Sequence, residues 1–132
     1  MQSSEAIGQQ EAWQRLMQLV DENRIPHALM FVGPQGSGKL ALALAFASFL
    51  LGEPWNGKSM VGNEAMRRNA VAMLAKWQHP DLHFSFPIIK PKGTAGDHKM
   101  VCDDFAKQWH ELLVKGPYFT MEQWMTMMGA EN

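Results

Sequence analysis

The chain of 132 residues has a single cysteine, Cys102. One thiol excludes an internal disulfide framework and fits a reducing compartment. No apolar run approaches the length of about eighteen residues that a membrane-spanning helix needs, so no membrane span is expected. Met1-Gln2-Ser3-Ser4-Glu5 lacks the basic and apolar regions of a secretory signal, and a cytoplasmic location is expected. Charge of one sign is also scarce, with a net charge of −1 at pH 7. That excludes a global basic footprint for nucleic acid and leaves only a local patch, or a partner subunit, to supply one. There is no internal repeat and no low-complexity tract. What is present is 46% hydrophobic residues, enough for one domain with a real core. The 11 methionines read as adaptable core filler.

The chemically informative stretch is Gly33-Pro34-Gln35-Gly36-Ser37-Gly38-Lys39-Leu40. The apolar run Ala28-Leu29-Met30-Phe31-Val32 leads into it, and an apolar run from Leu40 to Leu51 leaves it. Strand, glycine-rich loop and helix are the setting of a phosphate-binding P-loop. Glycines let the backbone curl until several N–H groups point inward as an anion nest. The following helix adds unsatisfied N–H groups and the positive end of its dipole. Lys39 would reach the outer phosphates as a point charge. The pattern asks for Ser or Thr next, to hold Mg²⁺ through a hydroxyl, and Leu40 has none. Two readings stand: a nucleotide site lacking one metal ligand, or a glycine turn kept for strand-to-helix geometry after nucleotide binding was lost.

Around this loop the periodicity predicts a helix over 10–23, with Trp13, Leu16, Met17 and Val20 on one apolar face. Trp13 reads as core packing rather than a stacking platform. Residues 28–32 predict a fully buried strand. The loop helix, 38–51, is apolar almost all round and should be buried on most sides. Residues 52–62 read as a loop. A helix follows over 63–77, with Ala65, Met66, Val71, Leu74 and Ala75 apolar and Arg67 and Arg68 solvated. After the turn His79-Pro80-Asp81, alternation over 82–87 predicts a half-buried strand. His79 and His83 do not make a metal pair, since Pro80 disfavours the helix that would align them. Lys90, Lys92 and Lys99 make 90–99 a basic surface loop and the best local candidate for a nucleic-acid contact, though a plain solvated loop explains it too. Asp103 or Asp104 could cap a helix over 104–115 with Phe105, Trp109, Leu112 and Leu113 buried. Thr120 with Gln123 forms a capping-box pattern for a last helix through Met128, closed by Gly129.

Ile7-Gly8-Gln9, the helix after it, Ile25-Pro26-His27-Ala28 and the run Gly33 to Lys39 together resemble the N-terminal part of an AAA+ ATPase module. More closely, they are similar to the clamp-loader subunits of bacterial DNA polymerase III. Gly-Pro-x-Gly-x-Gly-Lys-Leu before an Ala/Leu-rich helix looks most like the delta-prime type, and His79-Pro80-Asp81-Leu82 and Asp103-Asp104-Phe105 fit that version. The resemblance covers nearly the whole chain, strongly through Leu51 and less so between Glu53 and Gln78. It implies a three-layer α/β/α P-loop NTPase module with a parallel sheet, with the phosphate loop at 33–40, a variable segment at 52–78 and the basic loop at 90–99. It implies nucleotide contact at Gly33, Pro34, Gln35, Gly36, Ser37, Gly38, Lys39 and Leu40, with ATP or ADP held weakly and Mg²⁺ only alongside nucleotide. The implied partners are the other subunits of a hetero-pentamer, the sliding clamp and primer-template DNA. Delta-prime subunits often act as a rigid stator with a degenerate site, lending an arginine finger to a neighbour, and Leu40 suits that role.

Two departures qualify the resemblance. Many members carry four zinc-binding cysteines after the loop helix, but residues 52–78 contain none, so no zinc is expected. No apolar strand ending in Asp-Glu follows Lys39, and no arginine-finger motif is visible before Asn132. The expectation is therefore the incomplete first portion of a longer module, itself non-catalytic. The alternative is a self-contained small P-loop nucleotide or metabolite kinase. That enzyme would need a base or an Mg²⁺ carboxylate, for which Asp81, Asp97, Asp103 and Asp104 are candidates by elimination only.

Overall fold

The computed structural model describes residues 10–88, 101–116 and 118–128. The elements are α1 (Gln10–Asp21), α2 (Lys39–Leu50), α3 (Glu64–Ala75), a 3₁₀ turn (Cys102–Phe105), α4 (Ala106–Lys115) and α5 (Met121–Met127).

Helix α2 is apolar all round because it has neighbours on two sides. Leu42, Ala45, Phe46 and Phe49, spaced at helical intervals along one face, pack with Trp13, Leu16 and Met17 of α1. On another face Leu44 joins Trp77, Phe105, Trp109, Leu112, Leu113, Trp124 and Met128, with Leu40 packed against that group. Trp13 is thus a core residue, meeting Phe46, Phe49 and Trp55 edge-on at 6.3, 6.3 and 5.6 Å. Ser48 is fully buried in α2, and its hydroxyl has no hydrogen-bond partner among the described residues. An unsatisfied buried hydroxyl carries a desolvation penalty. Ser48→Ala should therefore raise stability by about 1 kcal/mol, read as a higher urea midpoint with an unchanged slope.

The helix ends follow local rules. Past α1, Asn23 takes φ 54, and Asn23 and Arg24 donate their N–H groups back to the carbonyls of Val20 and Leu19 at 3.0 and 2.8 Å. This is a Schellman stop with Asn in the left-handed position. Trp77 repeats it after α3 at φ 56, with Trp77 and Gln78 donating to Leu74 and Met73. Left-handed backbone is unfavourable for a bulky residue, and burial of the Trp77 ring opposes that cost. Asn63 caps α3, accepting from the Met66 N–H at 3.0 Å. Thr120 and Gln123 form the expected capping box on α5.

Several expectations are corrected. The described residues contain no β-strand, so the parallel sheet is not seen. Residues 28–32 are not a buried strand: Met30 and Val32 are 86% and 85% exposed. A strand is buried and paired only through its neighbours, and none lies beside this run among the described residues. Residues 82–88 keep the predicted alternation, with Leu82, Phe84, Phe86 and Ile88 half-buried and His83, Ser85 and Pro87 exposed, but they carry no ladder. On α3, Ala70 and Leu74 are the buried positions, while Met66 and Val71 face solvent. Asp104 does not cap α4; its carboxylate accepts from the Val101 N–H at 2.8 Å and closes the preceding 3₁₀ turn. Residues 52–62 hold more order than a loop. Trp55 and Lys58 exchange backbone hydrogen bonds across Asn56-Gly57, whose φ values of 49 and 76 make a hairpin-type turn. Lys58 then reaches Asp21 of α1 at 3.2 Å. Ile7-Gly8-Gln9, the basic loop 90–99 and Gly129 lie outside the described residues.

Candidate functional site: the phosphate loop

The loop between Val32 and α2 is shaped by its glycines. Gly36 and Gly38 both sit at φ 84, a left-handed conformation that L side chains rarely adopt. Ser37 donates its N–H to the Pro34 carbonyl at 3.2 Å, which tightens the turn. Gly38 is the N-cap of α2 and has no side-chain cap to offer. The first N–H groups of α2, those of Lys39 and Leu40 among them, therefore lack intrahelical acceptors. Such a helix start, opening out of a curled backbone, is a setting for an anion.

Lys39 is folded back on the loop. Its Nζ donates to the Gly33 carbonyl at 2.6 Å, closing the turn from Gly33 to the helix. An ammonium has three donors, so this bond leaves two for an incoming oxyanion. A Cβ at Gly33 would come within 2.8 Å of the Ser37 hydroxyl, which would have to turn aside to admit it. Leu40 lies at the edge of the core formed with Leu44 and Trp77. The position that would supply a metal-binding hydroxyl is here a packing position.

Beside the loop is an open cavity of about 430 Å³, lined by Arg15, Phe31, Gly33, Ser37, Lys39 and Leu42, among others. Arg15 is the residue that sequence reading missed. It stands on α1, pairs with Glu11 at 3.1 Å, and brings a second cation to the cavity that Lys39 lines. No local signal marks it, because its place depends on how α1 docks on α2. Of the eight residues named from sequence, Gly33, Pro34, Ser37 and Lys39 line this cavity, and Gln35, Gly36, Gly38 and Leu40 do not. The His79 ring accepts from the Asp81 N–H at 3.0 Å. Among the described residues, no three His, Cys, Asp or Glu side chains converge as metal ligands. No helix among them is long and apolar enough to cross a membrane.

A family model described as DNA polymerase III, delta subunit, matches residues 8–131. The chain belongs to this family. With that family comes the P-loop NTPase class to which the loop and α2 point. Among curated proteins, the delta-family chain is 44% identical over 64 residues to the Replication factor C small subunit of Archaeoglobus fulgidus, covering 48% of itself and 20% of that protein. It is 38% identical over 92 residues to the Replication factor C small subunit of Methanococcus maripaludis strain C7, covering 70% of itself and 27% of that protein. The corresponding subunit of Thermoplasma acidophilum is 37% identical over 71 residues, covering 54% and 22%. The chain thus spans about a fifth to a quarter of the length of the curated relatives it matches. No solved structure matches it significantly.

Proposed function

We propose that this chain is the phosphate-loop portion of a clamp-loader subunit of the delta-prime type, acting in the loading of a sliding clamp during DNA replication in the cytoplasm. Its partners are the other subunits of a hetero-pentamer, the clamp, and primer-template DNA reached through the assembly. The nucleotide site is degenerate: it holds ATP or ADP weakly, takes Mg²⁺ only with nucleotide, and hydrolyses poorly or not at all. There is no zinc module, because residues 52–78 offer no cysteine. The observation that carries this reading is the pairing of a family match over residues 8–131 with a loop whose metal-binding position is a packing leucine, Leu40.

Two experiments test it. A tag on the gene that encodes this chain should copurify other clamp-loader subunits and the sliding clamp. Recovery of metabolic enzymes alone would overturn the assignment. For the site, Lys39→Ala should weaken ATP binding by about 1.5–3 kcal/mol, the worth of a charge-assisted phosphate contact, or roughly ten- to a hundredfold. Calorimetric titration of both proteins reads this directly. Equal affinities, or no binding by either, would make the loop a structural relic.

A further inference from the structure

Away from the phosphate loop, the end of α3 and one face of α4 enclose an open cleft of about 630 Å³. Lys76 and Gln78 form one wall, and Lys107, His110, Glu111, Val114 and Lys115 the other. The α4 residues recur at helical spacing, on the side away from buried Trp109, Leu112 and Leu113. Three lysines and one glutamate therefore line one cleft. None of the three lysines is in an ion pair among the described residues, where the ion pairs are Arg15–Glu11 and Lys58–Asp21. The surface between the charges is apolar: Val114 is 64% exposed, and the lysine stems add their methylenes.

The two walls are held together by His110. Its Nδ1 lies 2.7 Å from the Ala106 carbonyl and its Nε2 2.9 Å from the Trp77 carbonyl. With its proton on Nε2 the ring donates to the Trp77 carbonyl and ties α4 to the turn that ends α3, so the lysines are presented on a fixed frame. The 132 residues together carry a net charge of −1, and this cleft is a local excess of positive charge on them.

We propose that this cleft docks an acidic segment of a partner protein, with an apolar side chain seated on Val114 and flanking carboxylates on Lys76, Lys107 and Lys115. Charge complementarity selects the occupant. A single-stranded nucleic acid is the less fitting guest. Such sites combine a basic groove with aromatic faces for stacking, whereas Trp77 and Trp109 are buried here and no Phe, Tyr or Trp side chain lines the cleft.

The test uses the chain without nucleotide, so it is independent of the phosphate loop. A fluorescein-labelled peptide of glutamates around a central leucine is titrated with the protein and read by anisotropy. Saturable binding is expected, weakening as salt rises. The triple variant Lys76→Glu, Lys107→Glu, Lys115→Glu should weaken it by about tenfold or more. Val114→Asp should weaken it as well, because it removes the apolar seat. All four positions are solvent-exposed or line the open cleft, and unchanged helical circular dichroism checks the fold. Absence of peptide binding, or equal binding by the triple variant, would overturn the proposal. So would a labelled single-stranded oligonucleotide of matched charge that binds more tightly through the same lysines.

Discussion

Trp124→Ala should cost about 3–5 kcal/mol of stability, the range for deleting a buried large aromatic side chain. Trp124 is fully buried at 0% exposure and is the largest such side chain among the described residues. Its ring meets Phe86 and Trp109 edge-on, both at 5.0 Å, and Phe105 at 6.4 Å. Its Nε1–H donates to the Pro87 carbonyl at 2.7 Å, which fastens α5 to the segment around Phe86. Truncation removes the apolar burial, leaves a cavity beside the stacked pair Phe86 and Trp109, and strands the Pro87 carbonyl. A domain of this size has about 5–15 kcal/mol to lose, so the variant should unfold at far lower urea. Trp124→Phe keeps most of the ring and loses the donor, and should fall between the two. Urea titration followed by circular dichroism ranks the three proteins. A loss below about 1 kcal/mol for Trp124→Ala would mean the site collapses to fill the space, contrary to the tight packing drawn here.

The helices were legible because their signals are local. The apolar spacing of α1, the capping box at Thr120 and Gln123, and the stops at Asn23 and Gly116 depend on a few neighbouring residues. The all-round hydrophobicity of α2 foretold burial on more than one side, and two core groups meet it there. The expected strands failed for the opposite reason. An apolar run such as Ala28 to Val32 states that it wants partners and does not supply them, and a ladder is a property of at least two segments. Residues 82–88 show the distinction well: the alternation of Phe84 and Phe86 with His83 and Ser85 survives in the burial pattern without any pairing. Asn56-Gly57 was a turn signal in plain view, and reading its surroundings as an open loop overlooked a pair of positive-φ residues.

At the site, the loop was legible through Gly36, Gly38 and Lys39, whose roles are written in backbone freedom and charge. Two features were not. The bond from Lys39 to the Gly33 carbonyl is a choice of side-chain conformation that spacing does not encode. Arg15 comes to the cavity only through the packing of α1 on α2 by Trp13 and Phe46. In the sequence, Leu40 marks the loss of a hydroxyl. Its place against the core with Leu44 and Trp77 adds that the side chain has a packing use of its own.

That use bears on catalysis. On the proposed reading, three parts of a phosphoryl-transfer site are wanting in this chain. Leu40 supplies no hydroxyl for Mg²⁺. No apolar strand ending in Asp-Glu follows Lys39 to complete the metal site. On the proposed clamp-loader reading an arginine finger would come from a neighbouring subunit, and such a finger is worth about 10³–10⁵ in rate in related systems. Leu40→Thr restores one oxygen and removes core packing, so it should not restore hydrolysis. Phosphate release from ATP and Mg²⁺ by the purified chain is the most direct measure of the account. The account predicts release at the background of the buffer, for this chain and for Leu40→Thr alike. Turnover of about 1 s⁻¹, the lower end for working kinases, that disappears in Lys39→Ala would contradict it and mark a self-contained enzyme.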